Sequence, residues 1–277
     1  MLIAQLSDPH VRPAGLLSNR VSDTNGLTER ALRVVAALRP VPDVMMITGD
    51  LTECGLPEEY THFVAMLERT LPRPVHVIPG NHDHRGNFRA ALAHLPGVTS
   101  DPEYVQYVIE DLPARIVMLD TLVPGANHGF LSASQLAWLD GTLCAQPAKP
   151  TLIGMHHPPL TVGSKGLDAI ALSNAGAFRE VIARHPQVMR IVCGHHHRPI
   201  IGQCAQAVVS VAPSVAHQVE LSFAPDHPGA LTFEPPGFHL HLFGSDTGFV
   251  SHTVYTQTYP GPFPFLSEAE SMESKSK

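Results

Sequence analysis

Five times in the first two hundred residues, a short apolar run stops at a turn bearing Asp, Asn or His. Leu2–Leu6 halts at Ser7-Asp8-Pro9-His10, and Val44–Thr48 halts at Gly49-Asp50. Val75–Ile78 is broken by Pro79-Gly80 and followed by Asn81-His82-Asp83. Thr151–Met155 meets His156-His157, and Met189–Cys193 meets Gly194-His195-His196-His197. Runs this short and this apolar read as buried strands. Helical patterns lie between them: Leu27–Leu38 stopped by Pro40, Pro57–Leu71, Ser132 to about Leu143, and Ala175–Arg184. Pro57 opens its helix with Glu58 and Glu59 near the positive end of the dipole. Ser132 with Gln135 three residues on reads as a capping box. Further strands are expected near Tyr104–Ile109 and Arg115–Asp120. Alternation of this kind predicts a layered α/β sheet, which carries its active site beyond the carboxyl ends of its strands.

The 277 residues, 44% hydrophobic and 16% charged, suffice for one sizeable domain with a small appendage. After Pro199 the character turns β-like, at Ala207–Val211, His217–Leu221, Phe238–Phe243 and Phe249–Thr256. The expected organisation is a catalytic core over 1–200, then sheet completion and a β-rich appendage over 201–266 that serves subunit contact. A disordered polar tail is expected over 267–277. The net charge of −7 argues against a nucleic-acid polymer as partner. Cys54, Cys144, Cys193 and Cys204 are widely spaced, which suggests free buried thiols in a reducing compartment. With no signal peptide and no membrane span evident, the chain reads as soluble and cytoplasmic.

The 18 histidines are the compositional anomaly, and many of them fall in the five turns. Carboxylates, an amide and imidazoles form the mixed N/O donor set of borderline divalent metals such as Zn, Mn, Fe or Co. If the chain stays extended there, Asp8 and His10 project to one side, as do His195 and His197. Glycines at 49, 80 and 194 suit tight turns or close backbone approach. Asp50 is a candidate to bridge two metals. His157, His196 and His84 stand beside these residues without an assigned role, and packing is the simpler reading for the first two. Asp83 fits a supporting or turn position better than a ligand position. His62, His76, His94, His128 and His185 read as surface or packing residues, Trp138 and Leu139 as core, and Glu58 and Glu59 as serving the helix dipole.

The ordered set D-x-H, G-D, G-N-H-[DE], H and G-H-x-H resembles the calcineurin-like metallophosphoesterase superfamily over residues 8 to 197. Within it the chain most resembles class III cyclic-nucleotide phosphodiesterases and bacterial glycerophosphodiesterases. The shared features are Cys54-Gly55-x-Pro57-Glu58-Glu59-Tyr60 and His156-His157-Pro158-Pro159. The resemblance implies a four-layer α/β/β/α sandwich with a small C-terminal β-rich appendage, and a homodimer or higher oligomer. It implies two divalent ions, one held by Asp8, His10, Asp50 and His197. Asp50 would bridge to the other, completed by Asn81, His156 and His195. Asn81 and His82 would contact the phosphate, and His82 would protonate the leaving alkoxide. The implied reaction is hydrolysis of a small phosphodiester, a cyclic nucleotide such as cAMP or a glycerophosphodiester, by hydroxide generated at the metals.

Competing readings are weaker. A protein phosphatase would follow Gly49-Asp50 with a run ending Asp-Arg-Gly, whereas here Leu-Thr-Glu-Cys-Gly follows. A nuclease would need a basic stripe, and a phosphomonoesterase belongs to another branch of the superfamily. An inactive scaffold would have lost metal ligands, and every ligand motif is intact.

Overall fold

A computed structural model describes residues 1–71 and 73–265. The chain runs β1 (Leu2–Leu6), α1 (Thr24–Ala37), β2 (Val44–Thr48), α2 (Pro57–Thr70), β3 (His76–Ile78), α3 (Arg85–Leu92), β4 (Tyr107–Ile109) and β5 (Arg115–Leu119). It continues through α4 (Ala133–Cys144), β6 (Thr151–Met155), α5 (Lys165–Ile170), α6 (Ala175–Ala183), β7 (Val188–Cys193), β8 (Ile200–Cys204) and β9 (Ala207–Val211). It ends with β10 (Gln218–Val219), β11 (Leu231–Thr232), β12 (Gly237–Gly244) and β13 (Gly248–Tyr255). The expected tail over 267–277 lies outside the described residues.

Two sheets result, ordered β13-β12-β1-β2-β3 and β4-β5-β6-β7-β9-β8. Strands β1 to β3 are parallel, as are β5, β6, β7 and β9, so their carboxyl ends point one way within each sheet. Strands β1, β2, β5 and β6 are buried almost throughout, which is why they read as unbroken apolar runs. One hydrophobic cluster packs α1, α2 and α3 on the first sheet and reaches across to Ile116, Met118, Leu152 and Val192 of the second. The other packs α4 and α6 on the second sheet's far face. The layers are therefore helix, sheet, sheet, helix.

The sequence expectations hold for the strands that lead into the five turns and for the Ser132–Gln135 capping box, both halves of which form. The first helix begins earlier than its apolar pattern, at Thr24, because the Asp23 side chain accepts from Gly26 N and caps it. Strand β8 and helices α3 and α5 carry too little periodicity to be read from sequence. Cys193 and Cys204 are buried, but Cys54 and Cys144 are exposed, which corrects the expectation of four buried thiols.

The C-terminal third enters both sheets: β8 and β9 close one edge, and β12 pairs antiparallel with β1. Phe238 of β12 is fully buried with Tyr60 and Phe63 of α2. Phe238→Ala should therefore destabilise the fold by about 3–5 kcal/mol in urea unfolding. A loss below about 1 kcal/mol would mean that β12 does not share the main core.

Candidate metal centre

The five turns meet where the two sheets face each other. Strands β1, β2 and β3 deliver Asp8 and His10, Asp50, and Asn81 and His82; β6 and β7 deliver His156, His195 and His197. The backbone there is not extended, contrary to the sequence expectation. Asp8, His10, Asp50, His195 and His197 all take positive φ, between 46° and 70°. Such conformations cost about 1–3 kcal/mol each and cluster at functional sites. The surrounding hydrogen bonds hold them. Asp8 N donates to Gly49 O at 3.1 Å, His10 N to Asp50 O at 2.9 Å and Val11 N to Leu51 O at 3.0 Å. His195 N donates to Asp8 Oδ1 at 3.0 Å, joining the sheets, and Gly194 N donates to His156 O at 3.1 Å within the second sheet. A Cβ on Gly80 or Gly194 would collide with the Asp50 or Asp8 carboxylate, so close approach explains both glycines.

One ligand atom from each of Asp8, His10, Asp50 and His197 lies within 4.8 Å of the others. His10 Nε2 is 3.0 Å from His197 Nε2 and 3.5 Å from Asp50 Oδ2, and His197 Nε2 is 3.5 Å from Asp8 Oδ1. Across Asp50, His156 Nε2 lies 3.3 Å from Oδ2 and 3.2 Å from Asn81 Oδ1. Asp50 thus stands between two groups of donors.

The other nitrogen of each ring is engaged outward. His156 Nδ1 donates to Thr48 O at 2.7 Å, His197 Nδ1 to His217 O at 2.8 Å, and His195 Nε2 to Ile170 O at 3.0 Å. His10 Nδ1 faces Glu53 Oε2 at 2.9 Å. A carbonyl only accepts, so the nitrogen facing it carries hydrogen and the opposite nitrogen is left to bind a cation. The donor set therefore fits divalent metal: carboxylates, an amide oxygen and imidazoles with fixed orientation.

The electrostatics agree. Burial alone would raise both carboxyls, but His197 outweighs it at Asp8, and His156 with His82 holds Asp50 well below the carboxylate range. Burial would lower His156, yet the Asp50 charge overrides it and pushes the imidazole up to about 9. The pocket favours positive charge.

His82 N donates to Asp50 Oδ1 at 2.9 Å and His82 Nδ1 to Glu53 O at 2.8 Å, leaving Nε2 open. Asp83 accepts from Gly80 N at 2.9 Å, Leu51 N at 3.0 Å and Tyr60 OH at 2.9 Å, knitting two turns from outside the cluster. Burial and the Asp50 charge push its carboxyl up to about 6. His84 caps α3, accepting from Asn87 N at 3.2 Å. His157 is buried and bonded to Thr121 Oγ1 at 2.7 Å, its ring 4.5 Å from that of His195. His196 is fully buried beside them. Glu59 does more than serve the helix dipole: its buried carboxylate accepts from Arg12 Nη1 at 2.7 Å and Cys54 N at 2.9 Å.

Two residues escaped the sequence reading. Glu53 orients His10 with its carboxylate and His82 with its carbonyl. His217 packs 5.6 Å from His10 and 5.2 Å from His197. Only its place three residues after Asp50 could have hinted at Glu53, and His217 sits in no motif. His217 also borders a cavity of about 400 Å³ lined by Asn19, Leu167, Ile170, Glu220 and His227. A neighbouring cavity of about 610 Å³, around Arg179 and Phe223, contains none of these donors.

Among the described residues, no helix is long and apolar enough to cross a membrane. The sequence profile of the calcineurin-like phosphoesterase family matches residues 1–199. A probable glycerophosphodiester phosphodiesterase, GpdQ, from Arcobacter nitrofigilis is 32% identical over 269 residues, covering 97% of this chain and 98% of its own. A 3',5'-cyclic-nucleotide phosphodiesterase of Nostoc is 32% identical over 243 residues, covering 86% of each chain. In fold alone, the chain is similar to a dimetal phosphatase from Danio rerio. The TM-score is 0.62 at 15% identity, with 93% of this chain and 99% of that one covered.

Glu53→Ala should weaken divalent metal binding about 10- to 100-fold, as loss of a residue that orients a ligand does. Metal titration of chelator-stripped protein reads this directly, and unchanged affinity would remove Glu53 from the centre.

Proposed function

The chain belongs to the calcineurin-like phosphoesterase family, and from that premise we propose that it hydrolyses small phosphodiesters at two divalent ions. Its curated relatives are named phosphodiesterases, and within this family the chain is a metal-dependent phosphodiesterase. In this reading Asp8, His10, Asp50 and His197 hold one ion. Asp50, Asn81, His156 and His195 hold the other, with Mn, Fe, Zn or Co as the metal. The observation that carries the reading is the convergence of seven donors from five turns, each imidazole oriented by an outward partner.

Bound there, the ions would supply Lewis acidity toward phosphoryl oxygens and a water acidified to about pKa 7. The chain's own part is orientation and proton transfer. Asn81 and His82 would receive the phosphate. His82 Nδ1 is committed to the Glu53 carbonyl, so Nε2 is the nitrogen left to protonate the leaving alkoxide. Its imidazole pKa is raised: burial lowers it, but the Asp50 charge and the Glu53 carbonyl outweigh burial. A raised value keeps more of the ring in its acid form near neutrality.

Glycerophosphodiesters are favoured over cyclic nucleotides as the substrate. The match to GpdQ runs end to end, including the C-terminal third that walls the cavity. Among the described residues, no Lys or Arg lines that cavity, which suits a small uncharged or cationic alcohol. The two further readings are less direct: unpaired thiols suit the cytoplasm, and residues 201–266, set against a core over 1–200, would supply contacts for a homodimer or higher oligomer.

Chelator-stripped protein resupplied with Mn²⁺ should cleave bis(p-nitrophenyl) phosphate at least about tenfold faster than p-nitrophenyl phosphate, compared as kcat/KM. It should also release alcohol from glycerophosphoethanolamine faster than it opens cyclic AMP. Preference for the monoester would reject the diester reading, and inactivity with every divalent ion would point to a scaffold. His82→Ala should retain both metals yet lose about 10²- to 10⁴-fold in kcat, most with poor leaving groups. Equal losses with alkyl and aryl leaving groups would exclude the acid role.

A further inference from the structure

Away from this centre, three donors of different chemistry meet on the outer helices. Asp140 and Cys144 lie one turn apart on α4, and His185 follows α6, which packs against α4. A carboxylate oxygen, the thiol sulfur and an imidazole nitrogen lie within 4.8 Å of one another. The fold holds the imidazole in place: His185 is 5% exposed, and its Nε2 lies 2.7 Å from Asp140 Oδ1. The turn that carries it is pinned as well. Gln206 Nε2 donates to His185 O at 2.8 Å, and Gln187 Nε2 donates to Leu143 O at 3.0 Å. Cys144 is exposed, so the cluster opens to solvent.

We propose that Asp140, Cys144 and His185 form a separate site for a borderline or soft divalent cation such as Zn²⁺ or Cd²⁺, with water as the fourth ligand. Sulfur, nitrogen and oxygen donors together select such ions over Mg²⁺ or Mn²⁺. Bonds of about 2.0–2.3 Å to a tetrahedral ion place donors roughly 3.3–3.7 Å apart, so the cluster needs only small adjustments. Arg184 Nη2 donates to Asp140 Oδ1 at 2.8 Å and competes for that carboxylate. Its side chain is 55% exposed and can turn into water when a cation arrives. Binding releases the thiol proton to solvent and replaces the hydrogen shared by His185 and Asp140, so it strengthens as pH rises.

Location separates this site from the catalytic one. The last turns of α4 and α6 precede the starts of β6 and β7, the opposite strand ends from His156 and His195. A cation here would clamp two outer helices together and shield a thiol that is otherwise open to oxidation. It would not enter the hydrolytic centre.

The test uses the full chain loaded with Mn²⁺, in a Cys54→Ser background so that Cys144 is the exposed cysteine among the described residues. Reaction with a disulfide reagent such as dithiobis-nitrobenzoate should slow at least about tenfold once Zn²⁺ exceeds the two equivalents that can displace Mn²⁺ from the hydrolytic centre, but not with Mg²⁺. Cd²⁺ should bring up thiolate charge-transfer absorption in the ultraviolet, and Cys144→Ala should abolish it. Asp140→Asn and His185→Gln should each cut the protection severalfold. Asp140 is the partly exposed partner, so its variant carries the test if His185→Gln fails to fold. Absence of protection, or full protection in Asp140→Asn, would overturn the site, since the carboxylate would then not be a ligand.

Discussion

Two buried carboxylates set the terms for everything around them. Asp8 is fully buried and Asp50 is 2% exposed, and charges so placed must be compensated. Compensation comes from imidazoles delivered by both sheets, and each ring is held by a partner outside the cluster. The result is a pocket whose own charges call for cations. Removing any one outward partner would free a ring to turn and leave a carboxylate less well matched.

The centre also depends on how the sheets pack, because neither sheet alone supplies its donors. One buried side chain shows the coupling. Gln5 of β1 donates to Thr48 Oγ1 at 3.0 Å and to the Cys193 carbonyl of β7 at 2.9 Å, and accepts from His241 Nε2 at 2.9 Å. It therefore ties the strand before Asp50 to the strand before His195. Strain in five left-handed residues is tolerated because these ties and the cross-turn hydrogen bonds over-determine their positions. The rigid sandwich is what lets the turns be strained.

The sequence made the strand ends legible because burial on both faces writes an unbroken apolar run, and the polar residue that ends it announces itself. Asp8, His10, Asp50, Asn81, His156, His195 and His197 could all be named this way. Their backbone conformation could not, since a side-chain pattern carries period and not the sign of φ at non-glycine residues. Glu53, Glu59 and His217 were hidden for a different reason. Each acts through a contact fixed by the fold: Glu59 joins Arg12 to Cys54 N, and His217 offers a main-chain carbonyl to a ring twenty residues earlier. Helices α3 and α5 were hidden because they are short, and β8 because only one of its five residues is fully buried.

In the proposed function the donors would decide that phosphorus is attacked; they would not decide which diester is chosen. On the proposed reading that choice would fall to the cavity beside His217, walled by residues 164–170 and by the segment around β10 and β11. Both walls reach the centre, because His217 O accepts from His197 Nδ1 and Ile170 O accepts from His195 Nε2. Cavity wall and donor cluster are thus fastened to the same two pieces of chain. Remodelling the backbone of either wall would shift the carbonyls that orient two of the proposed ligands, so a change of that kind would alter metal affinity as well. The more conservative route to a new substrate is through side chains such as Asn19, Glu220 and His227, which line the cavity and are not among the carbonyl partners of the ligand rings.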